Sequence, residues 1–315
     1  MFSGFHSKQY VVIIFMVISV TGCSSLKNDS GPWSRNHVDL QKVIDAQMKF
    51  KEVKAEPDVV PELSADEYAK RADQFLRNND TGSAFINYAR ALEADPDNTR
   101  LLFSQALLLL DKGLYSAASL KFKRILEIDP ENARAFEGIG QCCFGLEKPD
   151  DAQAAFTRAV KIDPGLWKSH SYLGLLAGHR KEFSASIAHY TRALALKPDN
   201  IDLVNNLAVS YYLAGDYGQA VILLSKAVQK KGTHKRILNN LALSYCRIGE
   251  YDKALTTFLG TADEAAAYNN IGYEYLLNRR YEDAVAAFEK ALFINPVFYE
   301  KAYNNLQVTQ KAMTD

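Results

Sequence analysis

Cysteine is scarce, with four in 315 residues. Cys142 and Cys143 are adjacent, and adjacent cysteines rarely bond to each other. Cys246 lies three repeat lengths further on, so no disulfide framework is legible. Cys143 is expected to fill a small apolar core site. Cys246, near the face where a partner would lie, is the candidate for a reactive thiol. Histidine numbers six. None sits in an HExxH or in a Cys/His cluster with zinc spacing. His170 and His179 fall on somewhat different faces of one helix and do not make a metal pair. There is no Walker loop and no GxSxG. The Asp–Pro and Asn–Pro steps read as helix-closing turns rather than paired catalytic carboxylates. These absences argue against an enzyme, a metal site and a cofactor. An enzyme or metal protein is kept only as a rival that a stoichiometric metal, or a turnover dependent on His170 and His179, would revive. Charge of one sign is absent too: 37 basic residues stand against 37 acidic. A nucleic-acid binder needs a basic excess to neutralise phosphates, and a polybasic membrane-surface protein needs the same. The apolar run from Val11 to Val20 is half of the roughly 20 residues a spanning helix requires.

That run suits the core of a secretory leader, with Lys8 supplying a positive start. It ends in Val20-Thr21-Gly22-Cys23. This quartet resembles the bacterial lipobox: an aliphatic residue, a small one, Gly, then Cys. The resemblance implies cleavage before Cys23 and acylation of Cys23, an anchor to which each buried methylene adds about 0.8 kcal/mol. Ser24, where Asp would favour the inner membrane, points to the outer membrane of a Gram-negative cell with the body in the periplasm. Residues 1–22 are therefore expected to be a signal peptide and 23–64 a tether. The tether is rich in Ser, Gly, Asn and Pro at first, with one short amphipathic stretch (Leu40, Val43, Ile44, Met48). Pro57 and Pro61 break the chain before the fold begins.

Proline is also sparse, nine in all, but four are evenly placed: Pro96, Pro130, Pro164 and Pro198, each 34 residues after the last. Lacking an N–H and clashing with the preceding turn, proline ends a helix at one fixed point per unit. Other columns keep the beat. Small residues recur at Ala72, Ala106, Gly140 and Gly174, and again at Ala84, Ala118, Ala152 and Ser186. A further column reads Ala91, Ile125, Ala159 and Ala193. Large residues recur at Tyr88, Phe122, Phe156 and Tyr190. This resembles the tetratricopeptide repeat (TPR), one helix–turn–helix per 34 residues, in which small residues admit close helix approach. The pattern continues through Ala208, Ala220 and Ala227 with Gly232 as breaker, through Ala242, Ala254 and Thr261, and through Gly272, Ala284, Ala291 and Pro296. Pro296 comes four residues early for three more periods after Pro198, and the loss is placed at Phe258–Thr261. The resemblance implies an all-α, right-handed superhelical solenoid. Its units are 65–98, 99–132, 133–166, 167–200, 201–234, 235–264 and 265–298, with a capping helix at 299–315 because a terminal repeat has no neighbour to cover it.

In TPR arrays the first helix of each unit lines a concave groove. Carried onto this chain, the family's positions nominate Asn205, Tyr212, Arg236, Asn239, Leu243, Arg247, Asn269, Tyr273 and Asn304. The mixture of apolar and amide groups suits a peptide or protein segment. Asn-Asn-Leu/Ile recurs at 205–207, 239–241, 269–271 and 304–306. The second Asn of each pair is expected to bond locally between helices. The first is expected on the groove, either pairing with an extended ligand's main chain or serving as polar lining. The set only partly matches the TPRs that grip chaperone tails through a carboxylate clamp. The lipobox, the array and the recurrent Asn-Asn-Leu/Ile together resemble the TPR lipoprotein of the tight-adherence (Tad/Flp pilus) machinery. That resemblance implies secretin or pilus-assembly components as partners and a role in their assembly and secretion. A TPR lipoprotein adaptor for cell-wall enzymes is the alternative, and self-association is a further possibility.

Overall fold

The computed structural model describes residues 63–231, 234–295 and 300–314. The leader, Cys23, the stretch around Leu40–Met48, Gly232 and Pro296 lie outside the described residues. Fifteen helices and no strands occur among the described residues. They are α1 (Ala65–Arg77), α2 (Thr81–Ala94), α3 (Thr99–Asp111), α4 (Tyr115–Ile128), α5 (Ala133–Gly145), α6 (Pro149–Ile162), α7 (Trp167–His179), α8 (Phe183–Leu196), α9 (Ile201–Leu213), α10 (Tyr217–Lys231), α11 (Lys235–Arg247), α12 (Tyr251–Leu259), α13 (Glu264–Leu277), α14 (Tyr281–Ile294) and α15 (Glu300–Thr314). They pack as consecutive antiparallel pairs: α1 on α2, α3 on α4, α5 on α6, then α9 on α10, α11 on α12 and α13 on α14. The chain forms two compact units that divide between Leu176 and Ala177, within α7.

Two kinds of turn set the alternation. Between repeats, a helix stops at Asp95, Asp129 or Lys197 and proline follows, so no further helical bond can form there. Two residues later Asn98, Asn132 or Asn200 caps the next helix, its side-chain oxygen accepting from the backbone N–H of Leu101, Ala135 or Leu203. The same Asn98 and Asn132 donate to Asp95 and Asp129 at 2.9 Å, closing each turn on itself. Within repeats, one residue two places beyond the first helix has positive φ: Asn79, Gly113, Glu147, Lys181, Gly215, Gly249 and Arg279. The next N–H then reaches back over the helix end, as Asp80 does to the Phe75 carbonyl at 2.9 Å. Glycine takes this conformation without steric cost. Glu147, Lys181 and Arg279 hold it against an unfavourable side-chain contact.

Packing follows from alternating size. Ala72, Ala84, Ala91, Ala106, Ala118, Ala152 and Ala159 are all completely buried, and each lets two helices approach closely. The space left is filled by the large column. Phe122 and Phe156 are fully buried, and Tyr88 is 1% exposed. A Cβ added to Gly138 would come within 2.4 Å of the Phe122 ring, and one added to Gly140 within 2.6 Å of Phe156. The aromatic of α4 therefore rests on bare helix backbone of α5, which belongs to the next repeat. Phe103 closes over Phe122 edge-on, centroids 5.7 Å apart. The Tyr88 hydroxyl donates to Asp73, which also accepts from Arg100 at 2.8 Å, so the first seam is bonded as well as packed. Burial and the neighbouring Asp73 carboxylate push the Tyr88 phenol up to about 12. Exposed ion pairs repeat over the seams, Arg124 to Asp97 and Arg158 to Glu131. Being exposed, such pairs add little stability.

The C-terminal unit contains the break in period. Helix α12 has nine residues where α14 has fourteen and α10 fifteen. It ends at Gly260, and the Thr261 N–H donates to the Phe258 carbonyl at 2.9 Å. The chain then enters α13 through Asp263, whose side chain accepts from the Ala266 N–H at 2.8 Å. Helix α15 packs on α14 and α13.

Candidate functional site

In the C-terminal unit α9, α11 and α13 are the first helices of successive repeats, and α9 packs against α11 and α11 against α13. Their asparagines make cross-repeat bonds. Asn240 Nδ2 donates to Asn205 Oδ1 at 2.8 Å, and Asn305 Nδ2 donates to Asn269 Oδ1 at 3.1 Å. The second Asn of one pair thus satisfies the first Asn of the pair before it. Asn205 and Asn269 are buried, 4% and 8% exposed, so the fold does not present an open row of four amides. Asn304 is exposed. The middle rung differs. Asn239 Oδ1 accepts from the Thr261 hydroxyl at 2.8 Å, because the shortened α12 brings that residue beneath α11.

A second column runs one turn further along these helices. Ser210 and Ser244 are buried and donate to the carbonyls of Asn206 and Asn240 four residues back. The matching place in α13 holds Glu274, which is just as buried at 4% exposure. A hydroxyl here satisfies itself on its own helix, whereas a carboxylate needs a donor from elsewhere. Its nearest cation is Arg247, with Nε 4.0 Å from Oε2, and that oxygen has no hydrogen-bond partner among the described residues. The Arg247 Nε–H instead donates to the Tyr212 hydroxyl at 2.8 Å, with the guanidinium 5.9 Å from the Tyr212 ring centre. Tyr212, Arg247 and Glu274 therefore meet across three repeats.

Burial raises the Glu274 carboxyl above its ordinary 4.5, and Arg247 only partly offsets this. The native state accordingly holds the proton more tightly than the unfolded chain does. Stability from this group is fully present below pH 4.5 and is lost as pH rises through the raised native value. Glu274→Gln removes the titration. Denaturation midpoints of parent and variant, measured from pH 4 to 8, are expected to diverge in the variant's favour as pH rises.

Beside this cluster lies a small recess of about 10 Å³, room for little more than one water molecule, lined by Ala208, Val209, Tyr212, Leu224, Asn240, Leu243 and Ser244. The structure thus brings together Tyr212, Leu243 and Arg247 of the residues nominated from sequence. Tyr273 is half-buried next to Glu274, whose charge adds to burial in raising its phenol. Arg236 is exposed and ion-paired with Asp202 of the preceding repeat. Glu274 was not nominated, since its position in the repeat is not among those assigned to the groove. The buried serines at that position in the two preceding repeats were the available signal. The cysteines also differ from expectation. Cys142 is the fully buried one, its thiol pushed up to about 12 by burial, while Cys143 is half-buried. Cys246 is 1% exposed, and burial raises its thiol well above the ordinary range, which makes it unreactive. His170 is buried on the Pro164 carbonyl, Nε2 to O 3.3 Å. No cluster of His, Cys, Asp or Glu suited to a metal occurs among the described residues.

Tetratricopeptide repeat profiles match residues 70–133, 103–166 and 144–201, and again residues 265–298, together more than half of the chain. The chain is a tetratricopeptide-repeat protein. A profile of subunit 3 of the anaphase-promoting complex, or cyclosome, also matches this TPR protein over residues 179–261. No curated protein matches the TPR chain by sequence. Solved structures do resemble it. A tetratricopeptide repeat protein from Parabacteroides merdae superposes with TM-score 0.53 at 16% identity, over 78% of this chain and 98% of that one. PilW, described as a widely conserved type IV pilus biogenesis factor, superposes with TM-score 0.55 at 21% identity, over 64% and 96%. PilF of Pseudomonas aeruginosa gives TM-score 0.55 at 19% identity, over 62% and 89%. These likenesses establish a shared fold. No helix among the described residues is long and apolar enough to cross a membrane.

Proposed function

We propose that this TPR protein is a lipid-anchored scaffold of the Gram-negative outer membrane. It faces the periplasm and holds a segment of a secretin or pilus-assembly protein against α9, α11 and α13. The observation that carries the reading is the Tyr212–Leu243–Arg247 face, where a recess lined by apolar groups adjoins a half-buried cation. Such a surface offers both apolar burial and a charged hydrogen bond to a protein segment. Support for the setting comes from the Val20–Cys23 quartet, and from the shared fold of PilW, itself a pilus biogenesis factor. The anchor would raise the scaffold's effective concentration for a membrane-bound partner, provided the tether spans the gap.

The test is a crosslinked pull-down from envelopes with the parent chain, with Leu243→Lys/Tyr273→Lys, and with Cys23→Ala. Recovery of secretin and pilus proteins with the parent, lost with the double variant, supports the reading. Cys23→Ala is expected to be lost from the membrane fraction yet to bind the partner in solution. Recovery of cell-wall hydrolases without secretin selects the adaptor role instead.

A further inference from the structure

Among the described arginines that have a carboxylate neighbour, Arg247 is the least exposed. Arg100 reaches Asp73 at 2.8 Å, Arg158 reaches Glu131 at 3.1 Å and Arg280 reaches Asp283 at 2.6 Å. All three pairs are largely exposed, where pairing contributes least. Arg247 is more deeply placed than these three, with 25% of its side chain exposed, and its carboxylate neighbour is further away. Among the described residues its one carboxylate neighbour is 4.0 Å away, and its one hydrogen bond goes to a neutral phenol. A guanidinium offers five N–H donors in a planar fork. Only the Nε–H has an acceptor among the described residues, so the two terminal nitrogens remain for a ligand. Tyr212 fixes the fork from one side, through its hydroxyl and its ring. Tyr212 also forms part of the recess wall, with Val209 and Leu243. One side chain therefore borders both the apolar recess and the unfilled cation.

Resting on the scaffold reading above, we propose that Arg247 and the recess form a receptor for an acidic side chain, followed or preceded closely by an aliphatic one, on an extended protein segment. The ligand carboxylate takes the two terminal nitrogens of Arg247 in a bidentate pair, the geometry for which a guanidinium is suited. The aliphatic side chain packs over the small recess against the part-exposed faces of Tyr212 and Leu243. Glu274 lies beneath the same cation and competes with the ligand for its charge. It makes no hydrogen bond to the guanidinium, so the terminal nitrogens of Arg247 keep their N–H groups for a ligand. A basic segment is disfavoured, since its charge would meet Arg247 before reaching the buried Glu274.

The probes are fluorescein-labelled nine-residue peptides of Gly and Ser. Each carries one Leu and one Glu, separated by zero, one or two residues, with matched peptides in which Gln or Lys replaces Glu. Binding to the full chain, purified from envelopes in detergent, is read by fluorescence anisotropy. At the best spacing the Glu peptide is expected to bind roughly tenfold or more tightly than its Gln and Lys counterparts. Arg247→Lys keeps the charge but not the fork and is expected to lose most of that advantage, with an unchanged melting curve showing that the fold survives. Glu274→Gln removes the competing anion and is expected to tighten the Glu peptide several-fold. Equal or tighter binding of Gln or Lys peptides, weaker Glu-peptide binding by Glu274→Gln, or failure of every peptide to bind would overturn the proposal. If the envelope partners are still captured in any of those cases, the scaffold reading stands and only the acidic receptor falls. Selective peptide binding without envelope capture would instead leave the receptor standing and remove the scaffold's pilus setting.

Discussion

Truncating Phe122 to Ala is expected to cost about 3–5 kcal/mol, the range for removing a large aromatic from a packed core. The ring is completely buried, lies over bare backbone at Gly138 and is closed by Phe103. It fills the seam between two repeats rather than the interior of one. In a linear array stability is a sum of units and their interfaces, so loss of a seam uncouples neighbours. Chemical denaturation followed by circular dichroism should therefore show a lower midpoint and a broader transition. The reciprocal change makes the test sharper. Gly138→Ala improves helix propensity by up to about 1 kcal/mol, yet it drives a Cβ to 2.4 Å from the ring. Overpacking of this kind costs about 1–3 kcal/mol, so a net loss is expected. Combined with Phe122→Leu, the alanine should be tolerated better than alone. Simple additivity of the two would mean that ring and glycine do not share one space.

Asn240→Leu is expected to destabilise the C-terminal unit by about 1–3 kcal/mol, the cost of leaving a buried polar group without its partner. The orphan is Asn205 Oδ1, which accepts from Asn240 at 2.8 Å and is deep in the α9–α11 seam. Asn240 also edges the recess, so apparent loss of peptide binding must be read beside a melting curve. Asn205→Leu strands the other half of the pair and should cost a comparable amount. Replacing both by Leu should cost less than the two single losses together, since neither polar group is then left behind. Full additivity measured by urea denaturation would show that the two amides act separately.

The fold was legible because its signals are periodic. Prolines 34 residues apart, and small and large columns in phase with them, report a seam that recurs with the same geometry. The left-handed residue inside each repeat was not legible. Gly113, Gly215 and Gly249 mark it, but Glu147, Lys181 and Arg279 do the same job under helix-friendly side chains. The asparagine pairs were half legible. A local interhelical bond was expected of the second Asn, but its partner proved to be the first Asn of the preceding repeat, which buries Asn205 and Asn269. The Cys142 and Cys143 exchange is a matter of one residue of helical phase, about 100° around the axis. Tyr212, Arg247 and Glu274 were out of reach as a cluster. Their contact depends on three repeats, and the repeat position of Glu274 is not among those assigned to the groove.

The matched seams have a genetic corollary. An in-frame loss of the bases encoding residues 99–132 would bring Tyr88 over Gly138 and Arg158 beside Asp97, reproducing the contacts now made by Phe122 and Arg124. Unequal recombination can therefore shorten or lengthen the N-terminal repeats at low cost. No such exchange is neutral at the sixth repeat. There Thr261 occupies the rung that asparagine fills on either side, so a full-length replacement would displace it from Asn239 and re-space Arg247 from Glu274. Repeat number is open to drift at one end of the gene, while the other end is held to a fixed count.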